Sequence, residues 1–416
     1  MNQIGYLELL RTNAPFRRLW AASVISMLGE WFNTIALFLI IYENTESEFL
    51  LGLLFTIRML CFAVFQPFGG LLADRYNRKS IMVWTNWAQV VLALSFLLIR
   101  GAEDIVWIYV LTGLMMILHG MYVTAERAAL PNIVPEKDLA TANALDAASW
   151  STALCTGAML GGVVVEFQGT DAAFIIDAFT FAISAILLRK LTIPQTVEDD
   201  LKGPLFSTTF KNIRKGWTRI FGEKRLLRIV FAKSSWNVAG GGLAGVFLLV
   251  AGSDIDGFGM AFGFGIFFFA RGIGTGIGPI VSRRYFVDEK RWPVLVGLLV
   301  SLSGVFYFLV GWTLGFNLYL TIGLVILAHS ASGANWVLST ILTQQWVEDE
   351  IRGRVFSMDM LMMSVAFSVS SAVAGYLLEN EFFNLQQGFI IFSIIMIASG
   401  LFFTLWRPDA VKSTVQ

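Results

Sequence analysis

The chain has 416 residues, 56% of them apolar, with 36 Phe and 13 Trp, and its 30 basic and 30 acidic residues cancel to a formal charge of zero. No soluble domain of this length needs so apolar a composition, and the apolar runs repeatedly reach the roughly 20 residues that cross a bilayer. Zero net charge decides nothing about nucleic acid, and two cysteines within apolar runs, Cys61 and Cys155, leave no disulfide framework or metal cluster to expect.

Residues 1–16 read as a short helix at the cytoplasmic interface. Arg11, Arg17 and Arg18 precede a segment long enough to span and stay, so no cleaved signal peptide is expected. Apolar segments follow at about 17–42, 50–72, 80–99, 106–126, 139–166 and 172–191. After a polar stretch come six more, at about 226–251, 258–281, 292–313, 316–339, 354–378 and 385–406. The expected fold is an all-α membrane protein of twelve transmembrane helices in two six-helix bundles, 1–191 and 226–416. Between them, 192–225 reads as a cytoplasmic linker. Its Phe206, Phe210, Ile213, Trp217 and Phe221 recur at helical spacing among bases such as Lys202 and Arg219. That pattern predicts an amphipathic helix lying on the cytoplasmic leaflet, with a regulatory-partner helix as the lesser alternative.

The basic residues set the topology. Arg75, Arg78, Lys79, Arg127, Lys137, Arg283, Arg284, Lys290, Arg291, Arg352 and Arg354 fall in one set of loops. The alternate loops hold Glu43, Glu46, Glu48, Asp254, Asp256, Glu379 and Glu381, with Arg100 as their base. Both termini are therefore expected in the cytoplasm. The halves repeat in one orientation: the fourth segment runs into Ala129–Asp138, the tenth into Thr343–Glu350, and the two histidines, His119 and His329, fall at matching places.

Between the second and third segments runs Gly70-Leu71-Leu72-Ala73-Asp74-Arg75-Tyr76-Asn77-Arg78-Lys79, a charged hinge at a membrane surface. It resembles the Gly-x-Leu-Ala-Asp-Arg-x-Gly-Arg-Arg signature of the major facilitator superfamily, with Asn77 at the usual Gly. Asn tolerates a left-handed backbone better than most residues, so the turn is expected to survive. In the fifth segment, Ala153-x3-Gly157-Ala158-x2-Gly161-Gly162 places small residues one turn apart, which lets helices approach closely. It resembles the Gly-x3-Gly-Pro-x2-Gly-Gly motif of exporter-type members, with Ala at the first Gly and at the Pro. Leu28-Gly29-Glu30-Trp31-Phe32, Leu130-Pro131 through Ala142-Asn143-Ala144-Leu145, and Arg352-Gly353-Arg354-Val355 resemble the macrolide-efflux and siderophore-export branch.

The resemblance runs from about residue 15 to 405. It implies a secondary transporter rather than an enzyme, a multi-pass protein of a bacterial cytoplasmic (inner) membrane. It further implies proton-coupled efflux of a small amphiphilic compound, such as a drug or siderophore, by alternating access. The implied partners are that substrate, protons and membrane lipids, with a monomeric chain, no cofactor and no nucleic acid. A gating role is implied for Gly70, Asp74, Arg75 and Arg78, with Asp74 meeting the start of helix 11 at Arg352 and Arg354. An anion near a helix N-terminus is stabilised by the macrodipole.

Charges inside a bilayer are costly and mark function or pairing. The candidates are Glu30, Arg58, Asp146, Asp177, Lys233, Arg271 and Asp359. Glu30 lies roughly 20 Å from the cytoplasmic start of its helix, and Arg58 and Asp177 lie at about the same depth. These three are the proton-coupling candidates. Glu30 either takes up and releases protons, with Arg58 or a cationic substrate competing, or forms a permanent bridge to Arg58. Asn33, Thr34, His119, Asn237 and His329 are the expected cavity residues, and His119, Tyr122 and Glu126 share one helical face. Asp146, Lys233 and Asp359 lie only a turn or two in from the cytoplasm, where they snorkel or pair across the gate. Two isolated histidines make no metal site, and no phosphate-binding loop or nucleophile–base cluster is present to support ATP hydrolysis or hydrolytic catalysis. Two other readings stay open: a gradient-driven facilitator for a lysophospholipid or metal ion, and a non-transporting membrane receptor.

Overall fold

The computed structural model describes residues 4–194, 205–406 and 408. Lys202 lies outside the described residues, as does the side chain of Phe206. α1 (Tyr6–Thr12) leads into α2 (Ala14–Thr45), α3 (Glu48–Arg75), α4 (Arg78–Ser95), α5 (Ile105–Ile133) and α6 (Leu139–Thr152). A π-helical turn over Ala153–Gly157 joins α6 to α7 (Ala158–Arg189). α8 (Leu205–Gly222) and α9 (Lys224–Gly240) follow, and a second π segment, Gly241–Phe247, joins α9 to α10 (Leu248–Ser253). α11 (Met260–Tyr285), α12 (Trp292–Thr313), α13 (Leu318–Trp346), α14 (Asp349–Glu379) and α15 (Leu385–Leu405) complete the chain, with no strand among the described residues.

Among the described residues, eleven continuous helical stretches are long and apolar enough to cross a membrane. One of them, Glu136–Arg189, has 54 residues, or about 80 Å of helix against a hydrocarbon core of about 30 Å. Gly169 breaks it at φ 83°, ψ 173°, a backbone that only glycine adopts without strain.

The helices overrun the apolar segments, because hydropathy falls at the first charge whereas a helix continues until its ends are capped. α5 reaches Ile133 and α14 starts at Asp349. α3 runs through Gly70 and Asp74, so the turn of the charged hinge is confined to Tyr76 and Asn77. Asn77 is extended (φ −62°, ψ 115°) and its side chain accepts from the Ser80 N–H at 3.0 Å. The left-handed residue expected there is instead an N-cap, which satisfies a free amide at the start of α4.

The chain forms two compact units. The first comprises Met1–Thr45, Cys61–Thr209 and Gly259–Gly265; the second comprises Glu46–Leu60, Phe210–Phe258 and Ile266–Gln416. In the first, α2 lies along α7, and α4 lies against α5 and α7. Leu19 and Ala22 of α2, Met82 of α4 and Tyr122, Ala125 and Ala129 of α5 close one core. α1 is docked onto protein: Leu9 is buried with Phe16, Val134 and Ala142, and the Asn13 amide donates to the Ile133 carbonyl at 2.7 Å.

In the second unit, α12 lies against α13 and α15, and α9 lies against α14. The α8 stripe is divided. Ile213, Trp217 and Ile220 pack with Val355 and Met358 of α14, while Phe210 and Phe221 stay exposed. Gly216 permits this, since a Cβ there would stand 2.6 Å from the Arg354 carbonyl. Arg219 anchors the helix end, donating to the Glu348 carboxylate at 2.9 and 3.2 Å, to Glu223 at 2.7 Å and to the Trp346 carbonyl at 3.0 Å. The hydrogen bond from Arg219 holds the Glu348 carboxyl below its ordinary range.

Candidate functional site

In the first unit, glycines set the spacing of α2 and α7. A Cβ at Gly157 would stand 3.1 Å from the Trp31 Cβ, and one at Gly161 would stand 3.1 Å from the Phe32 Cα. Gly162 turns the other way, where a Cβ would meet the Ala261 carbonyl at 2.6 Å. This close approach brings Asn33 to Asp177, and the Asn33 amide donates to the fully buried carboxylate at 3.0 Å. Thr34 satisfies its hydroxyl on the Glu30 carbonyl at 2.7 Å.

The Glu30 carboxylate meets His119 of α5, Oε2 standing 3.7 Å from Nδ1 with both side chains about one-fifth exposed. The His119 ring leans on Phe62 at 5.4 Å. Two turns further along α5, the Glu126 carboxylate accepts from the Ser23 hydroxyl, which also contacts the Tyr122 hydroxyl at 2.9 Å. Asp146 of α6 and Arg127 are the charged groups acting on Glu126. A carboxylate beside an imidazole with some access to water can exchange a proton. The Glu126–Ser23 contact has no signature in the sequence. The shared face of His119, Tyr122 and Glu126 was visible, but its partner on α2 lies 103 residues away.

The second unit holds cations. Lys233 of α9 and Asp359 of α14 are bonded to one another at 2.8 Å, with side chains 5% and 1% exposed. The ammonium also lies 4.0 Å over the Trp336 ring and 3.5 Å from the Thr340 hydroxyl. Neither side chain snorkels, because α9 buries Lys233 within its own unit, against α14. His329 is buried, its Nε2 2.6 Å from the Tyr307 hydroxyl and its ring 5.7 Å from that of Trp236. Asn237 lies one turn beyond Lys233 and is partly buried; Arg58 of α3 is 9% exposed. Arg271 donates to the Ala244 carbonyl at 2.6 Å.

At the charged hinge, Arg78 holds the α3–α4 turn to α5. It donates to the Ala73 carbonyl at 3.1 Å, the Ala128 carbonyl at 2.8 Å and the Asn132 side chain at 2.5 Å. Asp74 lies 3.8 Å from Arg78 and is 57% exposed; Arg75 is partly buried. Gly70 has no atom within 4 Å of a Cβ position, whereas at the adjacent Gly69 a Cβ would meet Met121 Cα at 3.0 Å. The close α3–α5 approach therefore belongs to Gly69. Arg352 donates to the Val347 carbonyl at 3.3 Å, and Arg354 is partly buried. No group of three His, Cys, Asp or Glu that could hold a metal occurs among the described residues.

The sequence matches the profile of the Major Facilitator Superfamily over residues 19–328 and 286–416. It is 21% identical to the uncharacterized MFS-type transporter YkuC of Bacillus subtilis, covering 97% of this chain and 96% of that one. It is 22% identical to macrolide efflux protein A of Streptococcus pyogenes, covering 90% and 93%. Among solved structures, a bacterial homolog to the human lysosomal transporter Spinster, inward-facing and unoccupied, matches with a TM-score of 0.73 at 15% identity over 95% of this chain and 99% of that one.

Proposed function

The chain belongs to the Major Facilitator Superfamily and is a multi-pass membrane transporter with bacterial relatives, and we propose that it exports a small amphiphilic compound in exchange for protons. The observation that carries this reading is the Glu30–His119 pair, a titratable acid–base couple inside a membrane-spanning bundle. Such residues are costly in a bilayer and are retained where they do work. Likeness to a macrolide efflux protein over nearly the whole chain supports the outward direction.

In this reading Glu30 takes up and releases the proton, and Asp177, bonded to Asn33, holds α2 to α7. Residues 1–191 and 226–416 act as the two bundles of an alternating-access cycle. The 192–225 stretch is the cytoplasmic connector, and both termini are cytoplasmic. Asp74 with Gly70, Arg75 and Arg78, and Arg352 with Arg354, belong to the cytoplasmic gate. The protein works as a monomer surrounded by lipid.

The test is substrate-evoked proton movement in proteoliposomes carrying the purified protein and an entrapped pH dye. Three substrates are compared: erythromycin, a hydroxamate siderophore and a lysophosphatidylcholine. We expect one to evoke proton flux, and Glu30→Gln to abolish that flux while substrate binding persists. Transport with no proton signal would replace the antiport reading with a gradient-driven facilitator.

A further inference from the structure

Arg271 lies on α11 about 16 Å from Met260 and about 21 Å from Tyr285 by helical rise, near the middle of a core about 30 Å thick. Its environment is unusual for a cation at that depth. Among the described residues it forms no ion pair. The acid buried in the same unit, Asp359, is already held by Lys233 at 2.8 Å.

What does touch Arg271 orients it without neutralising it. The guanidinium lies 4.5 Å over the Phe268 ring, which covers one of its faces. Nη1 donates to the Ala244 carbonyl at 2.6 Å, inside the π segment Gly241–Phe247. A π turn shifts the hydrogen-bond ladder from i→i+4 to i→i+5, which frees a carbonyl to take an outside donor. Nε is buried with no hydrogen-bond partner, and Nη2 makes no hydrogen bond among the described residues. Nε–H and Nη2–H form one edge of the planar fork, the edge that matches the two oxygens of a carboxylate.

The aromatic groups one turn along α11 from Arg271 are internally satisfied. α11 meets His329 at Gly274, one turn on, where a Cβ would stand 2.7 Å from the His329 Cβ. Tyr307 and His329 bond to each other, and the Trp236 N–H donates to Ser303 at 2.9 Å. With their polar atoms already paired, these groups do not compete with Arg271 for a carboxylate.

We propose that Arg271 recognises a carboxylate on the transported compound, so that the cargo is an anionic or zwitterionic amphiphile rather than a simple lipophilic cation. An unneutralised arginine near the midplane then has its counter-ion supplied by the cargo. The inference rests on the reading of the protein as an exporter of small amphiphiles.

The experiment is equilibrium binding to the purified full-length protein in detergent, using three probes with one ring system: 1-naphthylacetate, 1-naphthylacetamide and 1-naphthylmethylamine. A bidentate charge-assisted contact predicts that wild type prefers the carboxylate over the amide by roughly tenfold or more. Arg271→Gln should erase that preference while keeping the amide affinity, and Arg271→Lys, which retains charge but not the fork, should keep only part of it. The wild-type comparison needs no variant to fold. Equal or weaker binding of the carboxylate in wild type, or an unchanged preference in a folded Arg271→Gln, overturns the proposal and leaves Arg271 as a staple to the π segment. Because the readout is binding, it is independent of the proton assay. Failure of transport with a retained carboxylate preference would sink the exporter reading alone.

Discussion

Replacing Asp359 with Asn removes the charge that faces Lys233 while preserving shape. The two groups are 2.8 Å apart with side chains 5% and 1% exposed, so water cannot substitute for the lost partner. The Trp336 face at 4.0 Å and the Thr340 hydroxyl at 3.5 Å remain in both proteins and do not replace a counter-ion. Removing one member of a buried pair costs about 3–5 kcal/mol. At about 2–4 °C per kcal/mol for a unit of this size, the melting temperature should fall by roughly 6–20 °C. The assay is melting in detergent followed by intrinsic tryptophan fluorescence, for which the chain carries 13 Trp. The double variant Lys233→Met/Asp359→Leu removes both charges. It should recover most of the loss, since apolar replacement of a buried pair is often neutral or stabilising. If Asp359→Asn melts within about 2 °C of wild type, or the double variant melts as low as the single, the pair does not carry the stability argued here.

Gly162→Leu puts a Cβ 2.6 Å from the Ala261 carbonyl and 3.3 Å from the Gly265 Cα, backbone atoms that cannot rotate away. It should destabilise by about 1–3 kcal/mol or more. Gly70→Ala, in open space within α3, should instead leave melting unchanged or raise it, by up to about 1 kcal/mol of helix propensity. Asp74→Asn alters a half-exposed pair at 3.8 Å, so stability should move by no more than about 1 kcal/mol while the transport rate falls; an unchanged rate removes the gating assignment. The Glu348 carboxyl is held below its ordinary value by the hydrogen bond from Arg219. Its contribution is therefore full above the ordinary carboxylate range and is lost as pH falls through the depressed value. Amide hydrogen exchange in α8, normalised for intrinsic rate, should accelerate only at pH values below the ordinary glutamate range, and Glu348→Gln should flatten that response.

Much of the architecture is legible in the amino-acid sequence. Apolar run length, the loop bases and the Gly70–Lys79 stretch are local properties, and a bilayer imposes local rules. Each spanning segment must satisfy its own backbone, and each loop meets a leaflet of fixed sign. The unequal loop charge and the need for charges inside a bilayer to have a purpose are likewise readable, and they mark Glu30, Arg58, Asp146, Asp177, Lys233, Arg271 and Asp359. Their partners are not. Lys233 finds Asp359 across 126 residues, Arg271 finds a backbone carbonyl 27 residues back, and Glu126 finds Ser23 across 103. Helix ends and turn chemistry also escaped. Asn77 suits a left-handed turn by its identity, but where α3 ends made it an N-cap instead. The two π segments read as ordinary helix, because in an apolar glycine-rich run nothing local separates an i→i+4 from an i→i+5 ladder. Chain chemistry thus determined which segments are apolar enough to cross a bilayer and which charges inside them need a partner. Which buried residues meet was decided by helix packing, because contact depends on the rotation and depth of two helices together.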